Sequence, residues 1–264
     1  MAEVLKFATP EAEPPKALHR AGGFVMTHTA ADIQRSVDLI RSIDGPAMTM
    51  ISGAPGVGKS AALREITRKL GDDAVYVTIA KGEGNPSNVA TAILSQWREG
   101  DMRGHDLTTI RQAIGRLIGP RRVLMVDEAQ FLFQRHKASC TKGAAFDWLR
   151  VASEESGFDL VFCGDLTLAQ VMTNFAQLQS RMRRPVTIKE VDRADVEALA
   201  AANGLEEREI VTALAAVAEK HGGLRNVENV IRNAELFAGG GAVTGLHVKA
   251  AIIDLKLAAQ DGRQ

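Results

Sequence analysis

The sequence predicts an α/β fold: a five-stranded, mostly parallel sheet covered on both faces, followed by a small helical domain. Two observations carry this. Five short apolar runs recur before Glu190, each separated from the next by a stretch with helical spacing. Short, largely apolar runs separated by helices suit a mostly parallel sheet covered on both faces. After Glu190 no strand-like run remains and only helical patterns follow. The expected division is a flexible arm at 1–24, an α/β domain at 25–190 and a helical domain at 191–264.

The elements follow in order. Pro10, Pro14 and Pro15 among mixed charges make the start a loose arm or a peptide that docks on a neighbouring subunit. Thr29 is placed to cap a helix reaching Ile43. AMTMIS at 47–52 reads as the first strand, and a helix from Lys59 to Leu70 ends at Gly71. AVYVTIA at 74–80 is the second strand. Helices are expected over 86–98, starting with Pro86 and Ser87, and over 106–118. RVLMVD at 122–127 is the third strand, a helix covers 142–154, DLVFCG at 159–164 is the fourth strand and PVTIKE at 185–190 the fifth. Helices then cover 192–201, 205–219, 223–236 and 246–260, with GGGAVTG at 239–245 as the break before the last.

Composition sets limits on class. The hydrophobic fraction is 45%, ordinary for a soluble globular chain. Lys plus Arg total 32, as do Asp plus Glu, so nucleic acid, if bound, is met by a local patch rather than by net charge. The two cysteines, Cys140 and Cys163, suit a reducing compartment and give no metal framework. No run of 18 apolar residues occurs, and the start lacks the form of a secretory signal. The expectation is a cytoplasmic protein with no membrane partner.

The chemistry begins at GAPGVGKS, residues 53–60, a full G-x-x-x-x-G-K-[ST] match lying between a strand and a helix. Gly53, Ala54, Pro55, Gly56, Val57, Gly58, Lys59 and Ser60, with Ala61 behind them, form the expected phosphate-binding segment. Its glycines let backbone N–H groups face a phosphate, and the helix that follows presents its positive end. Lys59 is expected to reach the outer phosphates and Ser60 to ligate Mg²⁺. VLMVDEAQ at 123–130 adds two acids at a strand end: Asp127 to hold the metal and Glu128 to polarise an attacking water. No N-K-x-D run reads guanine, which favours ATP.

Three further positions bear on the nucleotide. Asp165 closes FCGD at 162–165, beside the phosphate loop if the fourth strand neighbours the first. It is either a γ-phosphate sensor or a helix cap for 166–174. Arg181, Arg183 and Arg184 crowd LQSRMRRP at 178–185. Arg181 is the first choice for an arginine supplied to a neighbouring subunit's nucleotide, with Arg183 and Arg184 open to DNA phosphates. Arg225, in GGLRNVENVIRNA at 222–234, would bridge to the phosphates if the helical domain folds over the nucleotide.

These motifs, in this order, resemble the AAA+ ATPases, a P-loop NTPase core with a small C-terminal helical lid. Within them, DEAQ followed by Phe131 and Leu132 resembles the DNA-transposition regulators of the phage Mu B, TniB and TnsC kind. The resemblance spans roughly residues 25–260. It implies a Mg²⁺-dependent ATPase that assembles as a ring or filament on double-stranded DNA and presents that DNA to a transposase. The residues ahead of the first expected helix are too few for the helix-turn-helix-like domain that Mu B itself carries. DEAQ also occurs in secretion-associated ATPases of the ExeA type, so an ATPase acting on protein partners, in secretion or as a scaffold, is the alternative.

Two loops are suited to a DNA backbone. Between Ala129 and Phe146 there is no Asp or Glu, while Arg135, His136, Lys137 and Lys142 all occur there. KGEGNPSN at 81–88 offers Lys81 and Asn85, which the resemblance places on the interior of such assemblies. Contacts of this kind position the protein without reading sequence and are strongly salt-dependent.

Overall fold

In a computed structural model of the chain, the described residues are 23–97, 105–133, 143–173, 175, 179–220 and 222–258. The arm expected at the start lies almost wholly outside them. The five strands are β1 (Met48–Gly53), β2 (Ala74–Thr78), β3 (Val123–Asp127), β4 (Asp159–Gly164) and β5 (Val186–Ile188). They form one sheet in the order β2-β3-β4-β1-β5, and every pairing is parallel. β4 lies between β1 and β3, so the strand ends that carry the phosphate loop and the acids stand about 10 Å apart.

β1, β3 and β4 are buried along their whole length, and the period of two divides their side chains between two cores. Leu124, Val126, Leu160 and Phe162 pack under helices α3 (Pro86–Leu94), α4 (Leu107–Ile118), α5 (Ala144–Ser156) and α6 (Leu166–Met172). Val123, Met125, Val161 and Cys163 face the other way, onto α1 (His28–Arg41) and α2 (Lys59–Leu70). A third core lies within α7 (Arg193–Ala201), α8 (Arg208–Lys220), α9 (Leu224–Ala238) and α10 (Gly245–Asp254), built on Leu199, Leu214, Val227, Val230 and Ala234. These four helices are the C-terminal lid.

Several boundaries differ from the expected ones. α1 is capped by Thr27, whose hydroxyl accepts from Ala30 N–H at 3.1 Å, not by Thr29. The fully buried Asp195 of α7 explains the shift, because its carboxylate accepts from His28 N–H at 2.6 Å and from Thr29 N–H at 3.3 Å. A lid residue thus caps a core helix. β5 is cut to three residues, all paired with β1 at the sheet edge. α10 stops at Asp254, and Lys256 has a left-handed φ of 56°.

At the opposite end of the sheet from the phosphate loop, Asp159 opens β4 and accepts from Ala47 N–H at 2.9 Å. Burial pushes its pKa up to about 6, which that hydrogen bond and the charges of Arg41 and Arg121 only partly offset. The folded chain therefore holds this proton more tightly than the unfolded chain. Asp159's contribution to stability is largest below its unfolded pKa and falls as pH rises from about 4 through about 6. Asp159→Asn keeps an acceptor for Ala47 and does not titrate. Urea unfolding across that range should show the variant gaining on the parent by up to about 3 kcal/mol as pH rises. A constant difference between the two would refute the assignment.

Candidate nucleotide site and adjoining loops

The phosphate loop leaves β1 and enters α2 at the carboxyl edge of the sheet, where ligands gather in open α/β folds. Gly56 (φ 79°) and Gly58 (φ 92°) supply its left-handed turns, and Gly58 is the N-cap of α2. Ala54 N–H donates to Ile188 O of β5 at 2.9 Å, which anchors one side. A Cβ on Gly53 would stand 2.7 Å from the same carbonyl. The Lys59 ammonium curls over the loop and donates to Gly53 O at 2.8 Å and Ala54 O at 2.9 Å. Val57 is buried, Pro55 and Ala61 are exposed, and Ser60 sits half-buried in the first turn of α2. This cradle, with an ammonium held by carbonyls rather than by an acid, fits a polyphosphate.

Asp127 ends β3 and is 3% exposed. Its Oδ1 accepts from Glu128 N–H at 2.9 Å and its Oδ2 from the Tyr76 hydroxyl at 2.5 Å. Burial, followed by the hydrogen bond to Asp127, pushes the Tyr76 pKa up to about 12, so the phenol stays a donor. Cys163 of β4 is buried, and that burial, followed by the charge of Asp127, pushes its thiol well above the usual range. It behaves as a core residue.

Glu128 adopts φ 58°, a left-handed conformation uncommon for a residue with a side chain. Its Oε2 accepts from Gln130 Nε2 at 2.6 Å, and Gln130 Oε1 accepts from Asp165 N–H at 3.2 Å. Gln130 thus links the acid to the end of β4. Gly164 makes room for that link, because a Cβ there would fall 2.4 Å from Gln130 Oε1. β4 does neighbour β1, but the Asp165 carboxylate is engaged as the N-cap of α6, accepting from Thr167 N–H at 2.9 Å. Of the two readings of Asp165, the cap is the one its contacts express.

The arginines separate. Arg181 pairs with Glu154 of α5 at 2.8 Å and is partly exposed. Arg184, also left-handed (φ 44°), donates to the Asp32 carbonyl at 3.1 Å and pairs with the Asp32 carboxylate, tying the segment before β5 to α1. Arg183 is exposed. Arg225 is exposed in the first turn of α9, next to the tightest contact in the site. Gly222 and Gly223, at the head of α9, meet the phosphate loop backbone to backbone. A Cβ on Gly56 would lie 1.9 Å from Gly222 O, and one on Gly223 would lie 2.9 Å from Gly56 C.

The loop after β2 packs on the turn after Glu128, with Gly84 so close to Phe131 that a Cβ would reach 1.9 Å from its carbonyl oxygen. Lys81 is exposed on that loop, and Asn85 Oδ1 caps α3 by accepting from Asn88 N–H at 3.0 Å. Arg135, Lys137 and Lys142 lie outside the described residues. Sequence reasoning missed Tyr76, Gln130, Asp195 and the glycine contact. Only Tyr76 carried a signal: a phenol inside an apolar strand needs a partner for its hydroxyl.

A parallel sheet in this order, with a phosphate loop after β1 and paired acids after β3, defines a P-loop nucleoside triphosphatase fold. Residues 41–172, half of the chain, match a family model described as AAA domain, and the chain belongs to that family. Residues 180–255 match a second model, described as Mu B transposition protein, C terminal. Among relatives, the ATP-dependent target DNA activator B of Escherichia phage Mu is 28% identical over 238 residues, covering 86% of this chain and 69% of the relative. The Mu-like prophage FluMu DNA transposition protein B of Haemophilus influenzae is 26% identical over 213 residues, covering 78% and 70%. The chain is thus an AAA+ protein related to Mu B-type transposition regulators. Solved structures agree in fold: the Aeropyrum pernix ORC1 protein in complex with DNA has a TM-score of 0.65 at 18% identity, covering 90% of this chain and 68% of that one. Cdc6p from Pyrobaculum aerophilum has 0.63 at 14%, covering 93% and 69%. No helix among the described residues is long and apolar enough to cross a membrane.

Gly56→Ala tests the loop's flank. The new methyl meets Gly222 O and sits at a positive φ, so the lid must shift. We expect a loss of about 1–3 kcal/mol of stability in chemical unfolding, together with weaker binding of a fluorescent ATP analogue. Full retention of both would show that the contact is dispensable.

Proposed function

We propose that this chain is an ATP-dependent, sequence-nonspecific double-stranded DNA-binding ATPase that assembles on target DNA and regulates transposition by presenting it to a transposase. The observation that carries this reading is the continuity of the match. The similarity to a target DNA activator runs through the nucleotide core, and the lid separately matches the Mu B C-terminal family. The placement of the loops supports it, since the β2 loop with Lys81 and Asn85 leans on the turn that leaves Glu128.

The roles follow from position. The phosphate loop from Gly53 to Ser60, with Ala61 behind it, would bind the triphosphate, and Lys59 would exchange its two carbonyl partners for phosphate oxygens. Ser60 and Asp127 would hold Mg²⁺, which when bound supplies charge neutralisation across the phosphates. Glu128 would orient and deprotonate water once Gln130 releases it. Asp165 would act through the α6 cap and Gln130 rather than on phosphate directly. Arg225 would reach the nucleotide from the lid. Arg181 would leave Glu154 to serve a neighbouring subunit, so hydrolysis would need assembly as a ring or filament. Lys81 and Asn85, with Arg135, Lys137 and Lys142, would meet DNA phosphates.

Three measurements test this. Electron microscopy with duplex DNA should give filaments or stacked rings with Mg²⁺-ATP and none with ADP. Lys81→Ala should weaken duplex binding about equally across sequences and lower the salt slope by about one. Particles indifferent to DNA in every nucleotide state would sink the reading and favour a secretion-type or scaffold ATPase. Arg181→Ala and Glu128→Gln should each lose ATPase activity, about 10³-fold for the arginine. Mixing the two variants should restore a measurable fraction. No recovery on mixing, with both variants still assembling, would remove the trans role from Arg181.

A further inference from the structure

Tyr76 is the chain's single tyrosine, and its side chain joins three elements of the nucleotide site. It lies on β2 opposite Met125 of β3, so its ring runs along the sheet face toward the strand ends. The ring packs against the core shared with α1 and α2. The Arg64 guanidinium, from the helix that begins with Lys59 and Ser60, stands 5.6 Å above its centroid. Its hydroxyl donates to Asp127 Oδ2 at 2.5 Å.

The Asp127 carboxylate is buried and held from both sides, with Glu128 N–H on Oδ1 and the phenol on Oδ2. Beside them stands the buried Cys163 thiol, a weak donor to the same carboxylate, which leaves the phenol as the strong side-chain donor. The phenol fixes the plane. Each oxygen keeps a lone pair for a further ligand, since a carboxylate has about four acceptor sites. A hydroxyl needed only to satisfy itself in the core could donate to any carbonyl. This one is spent on the acid at the end of β3, and its ring is fixed from the helix that carries Lys59 and Ser60.

We infer that Tyr76 is a positioning residue that sets the orientation of the Asp127 carboxylate toward Mg²⁺ and, through its packing with Arg64, ties that orientation to the phosphate-loop helix. This rests on Asp127 being the metal-holding acid. Partners of this kind, one step removed from a metal, typically change metal affinity about 10- to 100-fold when removed.

The test follows binding of a fluorescent ATP analogue as Mg²⁺ is titrated, for the parent, Tyr76→Phe and Asp127→Asn. Tyr76→Phe is expected to leave metal-free binding unchanged and to raise the Mg²⁺ concentration for half-saturation by about tenfold or more. A half-saturation equal to the parent's, with Asp127→Asn impaired, overturns the role of Tyr76 alone. Parent binding that ignores Mg²⁺, or an Asp127→Asn variant identical to the parent, removes the reading of the site and this inference with it. A second readout needs no substitution. Fluorotyrosine incorporated throughout labels only this position, and its fluorine NMR line should move further on adding Mg²⁺ with nucleotide than with nucleotide alone. A line unmoved by Mg²⁺ also overturns the inference, whether or not the phenylalanine variant folds.

Discussion

Everything at the candidate site depends on how the phosphate loop is wedged. One flank lies against the carbonyl of Ile188 at the edge of the sheet, and the other against the backbone of Gly222 and Gly223 at the head of α9. Neither contact tolerates a Cβ. The glycines of the loop therefore serve two purposes, since Gly56 both turns left-handed and admits the lid. A loop held this way has little freedom to flatten unless the lid moves. Loop shape and lid position become one variable, and the first turn of α9, with Arg225 exposed on it, moves with them. Asp195 fixes the other end of the lid by capping α1.

The charges around the loop are arranged by a second rule. The acids are satisfied by N–H and O–H donors, not by cations: Asp127 by Tyr76 and a backbone amide, Glu128 by Gln130, Asp195 by the head of α1. The one ammonium in the loop is satisfied by carbonyls. Neutral partners of this kind hold ionised groups in place without cancelling their fields. Such a site keeps positive charge near Lys59 and negative charge near Asp127 and Glu128, set apart before any ligand arrives. Salt bridges occur further out, at Arg184–Asp32 and Arg181–Glu154, where they fasten elements together.

The sheet was legible because its information is local. Apolar runs such as LVFC and VLMV need no knowledge of their neighbours to be read as buried strands, and the phosphate loop announces itself through spacing alone. The order of strands was not legible, and the place of the fourth strand beside the first stood only as a condition. What escaped lies in pairs distant along the chain. Nothing near residue 195 indicates that its carboxylate caps a helix starting at 28, and nothing in GG at 222–223 indicates that it abuts Gly56. Asp165 stood between two readings because capping residues and phosphate sensors can share one position. Here its carboxylate accepts from Thr167 N–H. Arg184 is open to DNA phosphates on charge alone, and nothing near it in sequence indicates its pairing with Asp32, far back in the chain.

The turn leaving Glu128 is where the nucleotide chemistry and the surface meet. Its left-handed φ commits the chain to a short 3₁₀ turn at Ala129–Phe133. The backbone of Phe131 then presses on Gly84, three residues beyond Lys81 and immediately before the Asn85 cap. Gln130, inside the same turn, holds Glu128 and the end of β4 together. The bond between Glu128 and Gln130 and the contact between Phe131 and Gly84 thus belong to one short turn. On the proposed reading, the loop that carries Lys81 and the turn that carries the water-orienting acid are in direct backbone contact. The same contact explains why Gly84 is a glycine although its own turn does not require a positive φ.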